Sequence, residues 1–350
     1  AYHFDATKFG LWLRDHYCKP KGVKHIIEDV NTIETNKNGI VSLNKKHKAD
    51  MFIDCTGFKS MLLGETLKEP FNDYSNLLVN NKAWATRIPY KDKEKELVPY
   101  TNCTAIENGW VWNIPSWERI GTGYVYSDKY VSDKGALKEF KKYLDSKGSD
   151  YSASEFKNIK MRVGRHKRLF VKNVCAIGLS AGFIEPLESN GLLSVHEFLI
   201  NLVKVMRRGN QKTISQWDRD NFNVECSRFF DGFTEFVAMH YALSHREDTK
   251  YWRDINNRSF YVERLTDQSI KADVLVKMST GDYMRSDSGH HVVGVGLRYF
   301  GFDVFEDNLS QDEKFKIKLR EKQVEEWNTI CKTKPKLLQF LKDNIHNGSL

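Results

Sequence analysis

Nothing in the sequence pairs its cysteines. The six (Cys18, Cys55, Cys103, Cys175, Cys226, Cys331) lie far apart with no Cys-x-x-Cys step. That argues against a zinc site or disulfide framework, leaves no metal expected, and points to a reducing, cytoplasmic location. No apolar run is long enough to span a bilayer. The longest, Leu192 to Met206, is broken by His196, Glu197, Asn201 and Lys204, so neither a transmembrane protein nor a membrane partner is expected. The opening Ala1-Tyr2-His3-Phe4-Asp5 lacks the charged start and apolar stretch of a secretory signal. It also lacks an initiator Met, and Asp5 to Tyr17 already reads as a helix, with Phe9, Trp12, Leu13 and Tyr17 on one face and Asp5 as cap. The chain is therefore expected to be a fragment that begins upstream. There is no repeat and no low-complexity linker, so contacts should cross any domain boundary.

What is present suffices for a core. Of 350 residues, 40% are hydrophobic and 13% aromatic, a length that suits two closely packed domains or one elaborated one. Lys and Arg exceed Asp and Glu by 54 to 46, a net charge of +8. The excess is spread in doublets such as Lys45-Lys46, Lys141-Lys142 and Arg207-Arg208, which is a solvated surface that draws anions at long range rather than a nucleic-acid face.

Gly22 closes the first helix, and three β-rich stretches follow at Val23–Ile27, Val30–Thr35 and Ile40–Leu43, the last two joined by Lys37-Asn38-Gly39. Ala49 to Phe58 is an apolar strand ending in a small-residue turn at Gly57, as where a strand's carboxyl end meets a dinucleotide. Antiparallel strands are expected within about 83–126 (Trp84–Ile88, Cys103–Glu107, Trp110–Ile114, Thr122–Tyr126), then an amphipathic helix over Lys134–Lys147. Val174–Leu179 reads as a strand and Leu192–Arg207 as a helix, with helical structure dominating from Ser215 to about Leu341.

The loop between that strand and helix, Ser180 to Gly191, holds Gly182, Pro186 and Gly191, which let backbone approach a ligand or turn sharply. The N–H groups of the following helix start face it, a place for an anion or the electron-rich edge of a flavin. Glu188 stands alongside. The plainer alternative is that Ser189 or Asn190 caps the helix and Glu188 complements its dipole.

The segment Phe183, Pro186, Ser189, Gly191 resembles the Phe-x-x-Pro-x-x-Ser-x-Gly signature of flavin-dependent halogenases. Trp110-Val111-Trp112-Asn113-Ile114-Pro115 resembles that family's Trp-x-Trp-x-Ile-Pro motif, and Ala49–Phe58 its Ala-Asp-x-Phe-Ile-Asp-Cys-Thr-Gly strand. Tyr2–Ala6, His240-Tyr241 and Arg246–Trp252 are also similar to tryptophan-halogenase segments, and the resemblance covers roughly residues 1–260. It implies an α/β, flavin-monooxygenase-like fold with a Rossmann-type, mixed FAD-binding sheet and a mainly helical C-terminal portion. Residues 1–210 would be a partial FAD-binding domain with the antiparallel sheet inserted, and 211–350 a helical, substrate-side region. Glu188 would be the active-site glutamate with Ser189 beside it, and Asn190 and Gly191 would hold the halide, although the family usually has Thr at the position of Asn190. Val30, Gly57, Leu179, Gly182, Pro186 and Leu192 would contact FAD. Glu247, Tyr251 and Trp252 would enclose an indole, and Trp110, Trp112, Ile114 and Pro115 would separate flavin chemistry from hydroxylation. Read without the resemblance, the two tryptophans are core residues on one strand face, and Glu247, Tyr251 and Trp252 are ordinary helix-surface residues.

The implied activity is halogenation of an electron-rich aromatic, indole- or tryptophan-like, by an oxidoreductase using FADH2, O2 and chloride, bromide or iodide. It runs through a flavin hydroperoxide and hypohalous acid. A separate flavin reductase would supply FADH2, and a homo-oligomer is admissible. No Gly-x-Gly-x-x-Gly follows a strand in this chain (Gly294-Val295-Gly296 does not fit), and the family's lysine has no position here. The segment alone is therefore expected to be inactive. A hydroxylating flavin monooxygenase and a non-catalytic domain that keeps the motifs as scaffold are the alternatives.

Overall fold

The computed structural model describes residues 3–208, 213–256, 293, 296–297 and 310–346. Asp5 caps the first helix as expected, its carboxylate accepting from the Thr7 and Lys8 N–H groups. That helix, α1 (Ala6–Trp12), continues through a wider turn at Leu13–Cys18 and a tighter one at Lys19–Lys21 to Gly22, which closes it at φ 83°. The strands follow as β1 (Ile33–Asn36), β2 (Gly39–Leu43), β3 (Phe52–Asp54), β4 (Phe71–Asp73), β5 (Lys82–Ile88), β6 (Asn102–Ile106), β7 (Gly109–Pro115), β8 (Ile120–Tyr126), β9 (Lys157–Lys160), β10 (Gly164–His166), β11 (Phe170–Val171), β12 (Val174–Ala176) and β13 (Gly182–Phe183). The later helices are α2 (Lys93–Glu96), α3 (Asp133–Ser146), α4 (Asn190–Arg208), α5 (Gln216–Ala242), α6 (Lys250–Ile255), α7 (Gln311–Lys332) and α8 (Leu337–Leu341). The result is a mixed α/β fold, rich in sheet toward the N-terminus and helical toward the C-terminus.

β1 and β2 form the expected hairpin around Lys37-Asn38. Val23–Ile27, expected as a strand, is not one. Val23, Ile26 and Ile27 lie exposed and no strand among the described residues pairs with them, so β propensity alone has no ladder to join. Gly294 and Val295, and most of 257–309, lie outside the described residues.

The antiparallel sheet runs in the order β6-β7-β8-β5-β9. Its edge strand β9, Lys157-Asn158-Ile159-Lys160, is exposed along its length and carries no hydrophobic alternation that would announce it. The pleat gives the sheet two jobs. One face (Ile88, Val111, Ile120, Tyr124, Tyr126) packs on Ala136, Phe140 and Leu144 of α3. The other (Ala83, Trp110, Val125) enters the main core with Phe222, Phe230 and Val237 of α5.

α5 is pinned to the small strands by polar keys. Asn223 accepts from the Leu169 and Phe170 N–H groups and donates to the Phe170 carbonyl. Arg165 of β10 grips Asp231 with two 2.7 Å bonds, and the Tyr74 hydroxyl donates to the same carboxylate. Asp231→Ala would take the counter-charge from a guanidinium whose side chain is only 10% exposed, leaving it the His166 and Lys167 carbonyls. Asp231 itself is 40% exposed, so the loss should fall below that of a fully buried pair, on the order of 2 kcal/mol. Urea unfolding should show a lowered midpoint, and an unchanged midpoint would remove this brace from the account.

Candidate functional site

β3 and β12 lie side by side and parallel, Cys175 opposite Ile53, so their carboxyl ends open on one side. Each ends in a single tight turn begun by glycine in the left-handed region: Gly57–Lys59 with Gly57 at φ 71°, and Gly178–Ser180 with Gly178 at φ 71°. The two turns pack together. Ile177 N–H donates to the Asp54 carbonyl at 3.0 Å. The wholly buried Asp54 carboxylate accepts from Thr56 N–H and Oγ1 and from the Leu62 and Leu63 N–H groups. Four donors compensate its loss of water.

After Gly178 the chain crosses β10 as β13, makes a turn at Pro186–Glu188, places Ser189 at φ 53°, and enters α4 at Asn190. The helix thus starts two residues before its apolar pattern does. Its first turn and the Gly178 turn border a cavity of about 300 Å³. Leu179, Gly182, Asn190, Gly191 and Leu192 line it, with Phe229 and Phe233 of α5 opposite. The wall is apolar apart from the loop itself and Ser194 of α4. Asn190 is 4% exposed and its Nδ2 finds no partner among the described residues. A side chain built on Gly191 would meet open space. An unpaired buried amide donor beside a helix N-terminus suits an anion or an electron-rich ring edge.

Glu188 does not line this cavity. Its side chain, 36% exposed, turns to His240 of α5, whose Nε2 lies 2.8 Å from Oε1. The Cys103 thiol of β6 feels the same carboxylate: loss of hydration around the sulfur, and secondarily the Glu188 charge, push it up to about 11. The loop therefore separates two environments, an apolar cavity behind Asn190–Gly191 and an acid–base pair before it.

Three residues earlier, Glu185 is wholly buried. Its Oε2 accepts from Asn80 Nδ2 at 2.7 Å; Asn80 also donates to Tyr241 and accepts from Tyr251. Trp110 Nε1 and Glu185 Oε1 are both buried without a well-formed hydrogen bond, yet Trp110 helps hold the charged form. Burial pushes Glu185 from 4.5 up to about 7, against the pull of Asn80, Tyr241, Trp110 and the His240 charge.

The remaining expected residues are dispersed. Gly57 sits at the neighbouring turn, Pro186 starts the turn that carries Glu188, and Val30 is half-buried ahead of the hairpin without lining the cavity. Trp110 and Trp112 share a face of β7, ring centres 6.2 Å apart, while Ile114 is half-buried and the Pro115 carbonyl accepts from His3. Tyr251 and Trp252 belong to the core rather than a helix surface, Trp252 Nε1 donating to the Ile106 carbonyl at 2.7 Å, and Glu247 is exposed.

The description "Tryptophan halogenase" belongs to a family model that matches residues 1–293. The chain belongs to the tryptophan halogenase family. It is 37% identical over 267 residues to tryptophan 6-halogenase SttH of Streptomyces toxytricini, covering 74% of this chain and 49% of that protein. It is 35% identical over 258 residues to tryptophan 7-halogenase RebH of Lentzea aerocolonigenes, covering 72% and 48%. The chain thus spans about half the length of these curated relatives. The VirX1 apo structure superposes with a TM-score of 0.82 at 37% identity, covering 99% of this chain and 70% of that one. Among the described residues no helix is long and apolar enough to cross a membrane, and no three His, Cys, Asp or Glu side chains gather as a metal site.

Family motifs drew attention to the loop and the tryptophans, but not to His240 as a partner of Glu188, nor to Cys103, Glu185 or the phenylalanines of α5. The sequence signal was faint: His240 follows Phe236 by one helical turn, which only hints at a fixed imidazole. The tryptophan halogenase motif also depends on a residue outside it. Trp112 lies across β8 so closely that a Cβ on Gly123 would stand 2.1 Å from its ring. Gly123→Ala should therefore displace Trp112 and cost roughly 1–3 kcal/mol, visible as a shifted tryptophan fluorescence and a lower melting temperature. An unaltered spectrum would show the ring is not held there.

Proposed function

We propose that this chain carries the halide-side and acid–base machinery of an FAD-dependent halogenase acting on an electron-rich aromatic, indole or tryptophan-like. The observation that carries the reading is the two-sided loop: an unpaired buried amide at Asn190 on its cavity side, and Glu188 paired with His240 on the other. The residues fit a flavin edge and a halide. Leu179, Gly182 and Leu192 would contact the flavin, and Asn190 Nδ2 with the first N–H groups of α4 would hold the halide.

When bound, reduced FAD from a separate reductase would give two electrons to dioxygen, bringing it to the peroxide level that can take two electrons from a halide. The chain's residues do the rest. Leu179, Leu192, Phe229 and Phe233 give the cavity an apolar lining, which would limit loss of an oxidised halogen to water. Glu188 stands outside it to give or take a proton at the aromatic substrate. Residues 1–210 would supply most of the flavin side, with Phe229 and Phe233 of α5 closing the cavity opposite, and the substrate side would draw on 211–350. The free cysteines suit a reducing, cytoplasmic compartment.

The test is product mass after incubation of the full-length protein with FADH2, O2, chloride or bromide, and tryptophan or indole. A product in which one hydrogen is exchanged for halogen is expected. A product gaining one oxygen regardless of halide would make the protein a hydroxylating monooxygenase, and no product from any indole would refute the reading.

A further inference from the structure

Both ring nitrogens of His240 are committed. Nδ1 lies 2.9 Å from the Phe236 carbonyl oxygen, one turn back along α5, and Nε2 lies 2.8 Å from Glu188 Oε1. A carbonyl oxygen only accepts, so Nδ1 carries a hydrogen. The contact at Nε2 then needs one more proton, on the imidazole or on the carboxyl, because two bare lone pairs at that distance repel. Either way the pair is neutral overall and holds one transferable proton. The ring is further fixed by Phe236, whose aromatic ring meets it edge-on at 5.1 Å.

We infer that His240 is the positioning residue of Glu188: it aims that carboxyl and shares one proton with it, making the two a single acid–base unit. This rests on the halogenase reading above, and it supplies the proton balance that reading needs. As the aromatic carbon bonds to the halogen of hypohalous acid, the halogen–oxygen bond breaks and its electron pair stays on oxygen. The shared proton passes through Glu188 to that oxygen, which leaves as water. The ring C–H bond then breaks, its electrons return to the ring, and the proton goes to Glu188 and is shared again with His240. The unit begins and ends neutral. Glu188, at 36% exposure, is open enough to meet a substrate while His240, at 18%, is shielded. Among the described residues, Cys103 on β6 feels the Glu188 charge and Glu185 on the same loop feels the His240 charge.

Two measurements test it. In ¹⁵N-labelled protein, imidazole-nitrogen NMR should show Nδ1 of His240 carrying a hydrogen and Nε2 sharing a proton with Glu188, and the Nε2 resonance should move in Glu188→Gln while that of Nδ1 stays in place. An Nε2 resonance indifferent to Glu188→Gln would overturn the sharing. In the halogenation assay, His240→Gln keeps an N–H directed at Glu188 but cannot exchange its proton. It should lower kcat at least tenfold with KM for the aromatic substrate within twofold, and flatten the pH profile. Wild-type kcat and pH profile in His240→Gln would reduce the histidine to a structural support and overturn the inference. Coupling seen by NMR in a wild-type protein that makes no halogenated product would support the shared proton and overturn the halogenase reading instead.

Discussion

Glu188→Gln should lower halogenation by roughly 10²–10⁴-fold, the usual worth of a positioned acid–base group, and leave flavin affinity unchanged. The amide retains the shape of the carboxyl and a hydrogen bond to His240, but it neither delivers nor receives a proton. Glu188 is part-exposed and lies outside the cavity where Leu179, Gly182 and Leu192 would meet the flavin. Chemistry and cofactor binding should therefore separate cleanly, and melting should move little, as for surface substitutions. Product quantification by mass spectrometry and FAD titration by fluorescence read the two effects independently. Full halogenation by the variant would strip Glu188 of its role, and a parallel loss of FAD binding would mean the loop had been distorted.

Glu185→Gln should change how stability depends on pH. Burial raises the folded-state pKa of Glu185 to about 7 from 4.5. Below about 4.5 folded and unfolded chains both carry the proton, and its contribution to stability is fully present. As pH rises toward 7 the unfolded chain ionises freely while the folded one resists, so stability is lost progressively and then levels off. The loss is on the order of 3 kcal/mol. The glutamine variant mimics the protonated acid and should lack this decline, becoming more stable than wild type at pH 8 but not at pH 4.5. Urea midpoints across that range decide it. Parallel curves for the two proteins would mean that Asn80, Tyr241 and Trp110 hold the carboxylate charged without penalty.

The readable parts of the fold were those governed by near neighbours. Asp5 caps α1 through residues two and three positions away, Gly22 ends that stretch in the left-handed region, and the β1–β2 hairpin closes over two residues. The antiparallel strands were legible from alternation because one sheet face meets α3 and the other the core. The strand assigned to Val23–Ile27 failed where that logic runs out, since a strand needs a partner and local composition does not supply one. Short pairings such as β4 with β10 escaped for the converse reason. Three residues on each strand give no period to detect, and their register comes from the chain packed around them.

The order strand, glycine-bearing loop, helix was set by the sequence alone, because a buried apolar run, a left-handed turn and an amphipathic helix are each dictated by side chains a few bonds apart. Which groups meet around that loop was decided only in three dimensions. His240 reaches Glu188 across 52 residues and Asn80 reaches Glu185 across 105. The first follows from α5 being clamped by Asn223 and Asp231 against strands far away in the chain, and the second from two loops meeting beneath it. Pairing of this kind is a property of packing, in which a side chain's partner is fixed by the path of the whole backbone rather than by its neighbours along it.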